Sequence, residues 1–315
     1  MDQFEIFKKV EFEDGMPITP LGWRPPTEED FEQLETTRGA SAVDLDQLMA
    51  MPPRDTFLYR YLDMVLKIYH NDPGYKWKNQ YQKFGTCVGQ AAKVGADDLM
   101  AINSLIYGME FPGRAAVAGS YTFARVEIAN QPGRWEGANG VNAAAAFLRL
   151  GVLLLKHVNL PDDATDADEN LAMQWTAQRT GVPKAYEDMA QNILVEDVIN
   201  PTSVKMVGKL LQAGAPVFVG TTYIPTGRCN SQGISPCQRS RGGHEMSYRA
   251  VVWENGEPKY ILQQQSWYPG WASGGKLVAD QPVESVWITA ADAAKQIADG
   301  DCSAIIGTNG LKYKG

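Results

Sequence analysis

The chain has 315 residues, of which 44% are hydrophobic and 21% charged, so it can bury a sizeable core in one large domain or two lobes. Its net charge of −8 and the absence of a Lys/Arg cluster argue against nucleic acid as a main partner. No hydrophobic run approaches the roughly 20 residues of a membrane span, and the first residues lack the pattern of a signal peptide, so we expect no membrane partner.

Residues 1–55 are acidic and punctuated by prolines, which predicts an extension and not part of a core. The segment from Thr27 to Asp30 is typical of the start of one short helix. Trp23 is the side chain expected to attach this extension to the rest of the protein.

A mostly helical pattern follows. Apolar periodicity predicts helices over 57–69, 88–107, 117–130, 139–150, 169–179 and 202–212. Later segments rich in β-branched and aromatic residues, separated by glycine or proline turns, predict strands over 217–223, 244–253 and 260–265. This order of elements predicts an α+β fold.

Cys87 opens the apolar-periodic stretch that runs to about residue 107, so it is expected at a helix N-terminus. Unpaired backbone N–H groups and the helix dipole favour the thiolate at such a position, and the thiolate is the nucleophilic form. Gln80 and Gln82 precede the cysteine and are candidates for donating to an oxyanion. Alone, a cysteine of this kind more often fills space in a core.

Two polar or glycine-rich segments between the helices have local interpretations. Gly137, Asn139 and Gly140 precede an apolar helix, and glycine leaves room for backbone pairing with an extended peptide; an ordinary turn is the alternative. Residues 162–169 form a charge run without the glycine of a calcium loop, which predicts a solvated link.

The four cysteines do not form a disulfide framework. Cys229 and Cys237 flank a polar loop before His244, and pairing or metal binding with that histidine are alternatives to an unbridged loop. Since only three ligands are local, we predict no metal site. Cys302 is expected to be a buried strand residue, and Tyr248 stands where a zinc metalloprotease helix needs its second histidine.

Two later motifs give Cys87 its significance. Gly243-His244 supplies a candidate base, and Gln265-Ser-Trp267-Tyr-Pro-Gly-Trp271 supplies an amide and two tryptophans. The order cysteine, histidine, amide-Ser-Trp, with the base more than a hundred residues beyond the nucleophile, resembles that of papain-like cysteine peptidases.

The resemblance also has departures. The family places asparagine where this chain has Gln265, whose carbonyl could still accept the imidazole N–H if reach and angle change to suit. Val88 replaces the aromatic residue usual after the nucleophile, which is more similar to the bacterial and viral branch. Gln80 and Gln82 bracket the position of the family's oxyanion glutamine, and Gln82 is preferred.

The resemblance implies a papain-like two-lobe fold with the site in the cleft between lobes. It implies an extension at 1–55 and a catalytic domain at 56–315, with a helical lobe at about 56–195 and a β-rich, barrel-like lobe at about 196–315. Trp267 would cover the hydrogen bond between histidine and glutamine, and Gly137, Asn139, Gly140 and Gly243 would bind substrate. A self-inhibitory extension is an alternative, but its length favours a structural wrap.

The functional hypothesis is a cofactor-independent cysteine peptidase acting on a peptide or protein. Cys87 would attack, His244 would transfer protons and Gln265 would orient the ring. One alternative is hydrolysis of peptidoglycan stem peptides by the same chemistry. Another is a binding or virion structural protein whose triad has drifted, with other virion proteins as partners. The expected location is the cytoplasm or the virion.

Overall fold

The computed structural model describes residues 10–11, 17–18, 22–38, 43–133, 137–178 and 180–313. The helices of this part are α1 (Glu28–Arg38), α2 (Leu45–Ala50), α3 (Tyr59–Tyr69), α4 (Cys87–Ile106), α5 (Val117–Thr122, continued by a π-helical turn at Phe123–Ile128), α6 (Gly140–Arg149), α7 (Asp166–Ala177), α8 (Lys184–Ala190), α9 (Val204–Gln212) and α10 (Ala290–Ile297). A 3-10 turn spans Leu155–Val158. The six helices expected between residues 57 and 212 are therefore present, and α2, α8 and α10 were not anticipated.

The strands are β1 (Val10–Glu11), β2 (Pro17–Ile18), β3 (Thr56–Phe57), β4 (Leu194–Ile199), β5 (Val217–Pro225), β6 (Cys237–Glu254), β7 (Glu257–Gln264), β8 (Ser285–Thr289) and β9 (Asp301–Asn309). β1 and β2 pair with each other, and the others form one sheet in the order β4-β9-β5-β6-β7-β8, with β3 paired to β6. All of its pairings are antiparallel. The predicted α+β class is confirmed.

Helix α4 is the central element of the helical half. All but its last residues are buried, and small side chains let neighbouring helices approach closely. A Cβ atom on Gly89, for example, would lie 2.6 Å from Cβ of Tyr121 on α5. Leu99, Met100 and Phe147 are among the apolar residues of this core.

A second core lies between the sheet and helices α9 and α10. Val217, Val219, Met246 and Ile261 come from neighbouring strands and are fully buried. Because successive strand residues point to opposite faces, the other face of the same strands is available to the helical half.

Polar contacts fix β6 against α4. Arg249 on β6 donates to both carboxylate oxygens of Asp98 on α4, at 2.8 and 2.6 Å, and both side chains are buried. Ser247 Oγ donates to the backbone oxygen of Ala91 at 2.8 Å. The strand that carries His244 is thereby set in register with the helix that begins at Cys87.

The charge run at 162–169 was predicted to be a solvated link, and this prediction was wrong for the second half of the run. Helix α7 begins at Asp166, and Asp168 and Glu169 are fully buried. The carboxylate of Asp168 accepts the backbone N–H groups of Val117 and Ala118 at the start of α5, both at 2.9 Å. An acidic side chain can be buried there because unpaired N–H groups at a helix start stabilise its charge.

Candidate active site

Cys87 is the first residue of α4, and its side chain is buried. The expectation that it lies at a helix N-terminus is confirmed. The segment before it is held by Glu169, whose carboxylate accepts the N–H of Lys83 at 2.6 Å, the hydroxyl of Thr86 and the side-chain amide of Gln90 at 3.3 Å. Burial raises the pKa of Glu169 to about 8, although these hydrogen bonds act to lower it. The buried carboxyl thus joins the loop before the cysteine to the first turn after it.

His244 lies on β6 with its ring fully buried. Its Nε2 is 2.8 Å from Oε1 of Gln265, which follows β7. A carbonyl oxygen only accepts, so Nε2 carries the proton and Nδ1 of a neutral ring carries the lone pair. Nδ1 is buried and has no hydrogen-bond partner in the described part of the chain. Burial lowers the pKa of His244 to about 3, and the hydrogen bond that it donates to Gln265 opposes that shift.

The extra methylene of Gln265 is accommodated at hydrogen-bonding distance. Its backbone is fixed on both sides, because its N–H donates to the oxygen of Glu284 at 3.1 Å and its oxygen accepts from Nδ2 of Asn79 at 2.6 Å. Trp267 stacks on the His244 ring with centroids 4.5 Å apart and is itself packed edge-on by Trp271. The hydrogen bond between His244 and Gln265 therefore lies in a dry environment, which strengthens it.

Gly85, two residues before Cys87, and Gly243, directly before His244, both contact the segment Gly22–Trp23, and the space that this segment fills is called the groove below. Gly22 lies against Gly85: a Cβ atom added to it would be 1.7 Å from the Gly85 backbone oxygen. Trp23 forms an antiparallel bridge with Gly243. Since consecutive Cα atoms are about 3.8 Å apart, one dipeptide spans from the loop before the nucleophile to the residue before the base.

The two candidate oxyanion glutamines have different surroundings. Gln82 lies beside the amide motif, where its Oε1 accepts from Ser266 Oγ at 2.5 Å and its Nε2 donates to the Phe84 oxygen at 3.1 Å. Gln80 instead donates its side-chain amide to the backbone oxygen of Ala164. Gln82 thus contacts the segment after Gln265, and the choice between the two glutamines as oxyanion donor stays a prediction.

The glycine-rich segment before α6 forms one wall of the groove. Ala138 pairs with Trp23 in the parallel sense, through Arg24 N–H to Ala138 oxygen at 2.8 Å and Ala138 N–H to Gly22 oxygen at 2.9 Å. Gly137 has a φ of +115°, a conformation that favours glycine. The backbone edge expected to bind an extended peptide is therefore paired with a segment of the chain itself.

Asn139 and Gly140 have structural partners. Asn139 caps α6 by accepting the N–H of Asn142 at 2.8 Å, and its Nδ2 donates to Asp30 on α1 at 2.9 Å. The N–H of Gly140 donates to Asp301 at 2.8 Å. Asn139 thus ties the extension to the groove wall.

Sequence reasoning missed two acidic residues in the groove, Glu245 and Asp301, both fully buried. Glu245 directly follows His244, and Asp301 is the first residue of β9. The available signal for Glu245 was an acidic residue inside a predicted strand whose neighbouring residues are expected to be buried. Nothing local in the sequence indicates that β9 brings Asp301 beside it.

The other cysteines lie apart from this constellation. Cys302 is buried on β9, as expected, and Cys229 and Cys237 form no disulfide in the described residues. Within the same residues no cluster of three or more His, Cys, Asp or Glu could hold a metal ion. None of the helices described there is both long and apolar enough to cross a membrane.

Solved structures share this architecture, and two of the three described next are cysteine proteases by name. Xylellain, a cysteine protease from Xylella fastidiosa, matches with a TM-score of 0.58 at 13% identity, over 91% of this chain and 96% of that one. ProCathepsin B S9 from Trypanosoma congolense matches with a TM-score of 0.54 at 11% identity, over 96% of this chain and 93% of that one. The proform of the Amb a 11 cysteine protease, a major ragweed pollen allergen, matches with a TM-score of 0.50 at 12% identity, over 89% and 73%.

No protein-family model and no curated protein sequence matches the chain. At identities this low, the structural likeness shows the fold. The predicted papain-like fold, with a helical lobe and a β-rich lobe, is confirmed. Assignment to the bacterial and viral branch stays a prediction.

Proposed function

We propose that this chain is a cysteine peptidase that hydrolyses peptide bonds through a thioester intermediate. The observation that carries the proposal is the buried hydrogen bond from His244 Nε2 to Gln265 Oε1 at 2.8 Å, which leaves Nδ1 as the proton acceptor. Cys87 begins a helix at the same groove, where the helix N-terminus favours a thiolate. The names of the structural neighbours support this function.

In the proposed reaction, Nδ1 of His244 takes the thiol proton and the sulfur of Cys87 attacks the substrate carbonyl carbon. The carbon–nitrogen bond then breaks, and the leaving amine takes the proton from His244. Water adds to the thioester with His244 as base, releasing a carboxylic acid and restoring the thiol. The backbone N–H of Cys87 and the side-chain amide of Gln82 are the proposed oxyanion donors, each worth about 3 to 4 kcal/mol.

Residues 22–24 occupy the groove that this reaction needs. Since Ala138 and Gly243 both pair with Trp23, a substrate has to displace this segment before it can reach Cys87. The proposal therefore extends the role of residues 1–55 from a structural wrap to a cover over the site.

The test is labelling by an epoxide inhibitor of papain-like enzymes, followed by peptide mapping and a casein digest. We expect labelling at Cys87, its loss in Cys87→Ser, and its retention in Cys229→Ser, the matched control at a half-buried thiol. Zymography on peptidoglycan distinguishes the stem-peptide alternative. Folded protein that is neither labelled nor active on casein or peptidoglycan, even after Gly220→Ala is introduced to displace Trp23, would refute the proposal in favour of a binding protein.

A further inference from the structure

The side chain of Trp23 fills a flat slot beside the catalytic groove. The slot exists because two glycines line it: a Cβ atom on Gly220 would lie 1.7 Å from the indole Nε1, and one on Gly243 would lie 1.7 Å from Cε3. Gly243 directly precedes His244. A residue whose side chain fills this slot therefore has its backbone paired with the groove walls, next to the proposed nucleophile and base.

The slot ends at two buried carboxyls. Asp301 accepts the Trp23 indole N–H at 2.5 Å and the backbone N–H groups of Gly140 and Val141 at 2.8 and 3.1 Å. Glu245 lies beside it, and neither of its oxygens accepts a hydrogen bond from a fixed donor in the described residues, so a proton shared with Asp301 is the interaction left to it.

Among the described residues, no lysine, arginine or histidine forms an ion pair with Glu245 or Asp301, whereas the buried carboxylates of Asp97 and Asp98 on α4 each have an arginine. Burial raises the pKa of both Glu245 and Asp301; the charges of Asp301 and Cys87 raise that of Glu245 further, whereas the proton shared with Glu245 lowers that of Asp301. The pair therefore keeps a proton while Trp23, with its single N–H, fills the slot.

We propose that the slot filled by Trp23 is a specificity pocket that takes an arginine side chain of the peptide substrate, with Asp301 and Glu245 as its acidic end. As a determinant of cleavage, this pocket rests on the proposed peptidase function. A guanidinium is flat like the indole it replaces and presents donors to both carboxyls, whereas a neutral side chain leaves Glu245 unpaired. Entry of arginine lets Glu245 ionise and release its proton.

Binding to inactive full-length protein tests the pocket without relying on turnover. In Cys87→Ala/Trp23→Ala, calorimetry compares the peptide amide acetyl-Ala-Arg-Ala-Ala with the same peptide containing citrulline, which keeps the shape of arginine without its charge. We expect arginine to bind about tenfold more tightly and to release a proton, seen as a dependence of the measured heat on buffer ionisation. Adding Glu245→Gln removes both effects, and adding Asp46→Asn, an exposed carboxyl, removes neither. Equal affinities would overturn the proposal.

A second comparison needs no added peptide. In full-length protein, Trp23→Arg places a guanidinium at the slot and Trp23→Gln places a neutral amide there. We expect the arginine variant to melt at the higher temperature, and Glu245→Gln to abolish that difference. If the glutamine variant melts at the same or a higher temperature, the pocket does not select a cation.

Cleavage assays separate this proposal from the peptidase proposal. Trp23→Ala with Cys87 intact is given a peptide library, and arginine is expected at one position N-terminal to the cleaved bond. Cleavage without an arginine preference would refute the pocket and leave the peptidase standing. Selective arginine binding without any cleavage would refute the peptidase and leave the pocket standing.

Discussion

The length of residue 265 gives the sharpest test of the site. Gln265→Asn shortens the side chain by one carbon–carbon bond, about 1.5 Å. The backbone of residue 265 cannot move closer to His244 to compensate, because its N–H and its oxygen are hydrogen-bonded to Glu284 and Asn79. The amide oxygen would therefore lie about 4 Å from His244 Nε2, beyond hydrogen-bonding range. Asparagine, the usual residue of papain-like peptidases, should be the worse residue in this chain.

The size of the effect follows from the burial of the imidazole. Removing the acceptor leaves a fully buried N–H of His244 unpaired, which costs on the order of 1–3 kcal/mol. If that cost falls on the catalytic arrangement, kcat/KM drops by about 5- to 150-fold in Gln265→Asn and in Gln265→Ala. The pKa of His244 also falls further, because the Gln265 hydrogen bond is what raises it.

The assay is kcat/KM on a fluorogenic peptide, together with the pH dependence of Cys87 alkylation. Gln265→Glu is the length-matched control, since it keeps the acceptor within reach; it should retain more activity than Gln265→Asn, with the alkylation profile moved to higher pH by the added negative charge. A Gln265→Asn variant as active as the wild type, or more active, would refute the reasoning.

Three further changes test other parts of the site. Trp267→Ala removes the ring stacked on His244 and admits water to its hydrogen bond, so kcat/KM should fall by about tenfold; unchanged kinetics in a folded variant would contradict this role. Gly220→Ala places a methyl group where the Trp23 indole lies, so limited proteolysis should cut the N-terminal segment faster, whereas Gly95→Ala, whose Cβ meets only ordinary contacts, should not change the rate. Burial raises the pKa of Glu169 to about 8, so the folded state holds a proton that the unfolded state releases above about 4.5, and this residue's contribution to stability is lost as pH rises from about 5 to 8. Glu169→Gln should therefore show a smaller loss of urea stability over that pH range than the wild type; an identical pH dependence would count against it.

The elements that carry the candidate site could be predicted because its residues lie in local sequence patterns. Cys87 opens an apolar-periodic stretch, His244 lies in a strand pattern, and Gln265 begins a motif with tryptophans at fixed spacing. Each of these signals needs only a few neighbouring residues. The helix start at Cys87 and the strand around His244 are found where the sequence places them.

The contacts that the sequence did not reveal are those between distant segments. Asp168 and Glu169 were predicted to be solvated because the N–H groups that donate to their buried carboxylates belong to residues distant in sequence: Val117, Ala118 and Lys83. Trp23 was expected to attach the extension to the body, but its position against Gly220 and Gly243 depends on strands far along the chain. Glycines of this kind are unremarkable in sequence, and only the fold shows which side chain they make room for.

The buried state of His244 bears on the alternative of a binding protein with a drifted triad. A neutral imidazole with its Nδ1 unpaired in the described residues is costly to bury, and in a protein that only binds, an apolar side chain in its place would be at least as stable. Here the ring is instead held at two positions, by Gln265 at Nε2 and by Trp267 on its face. An arrangement that orients one acceptor at the expense of stability fits the proton transfer from Cys87 proposed above, and the hydrogen bond to Gln265 holds the ring in that orientation.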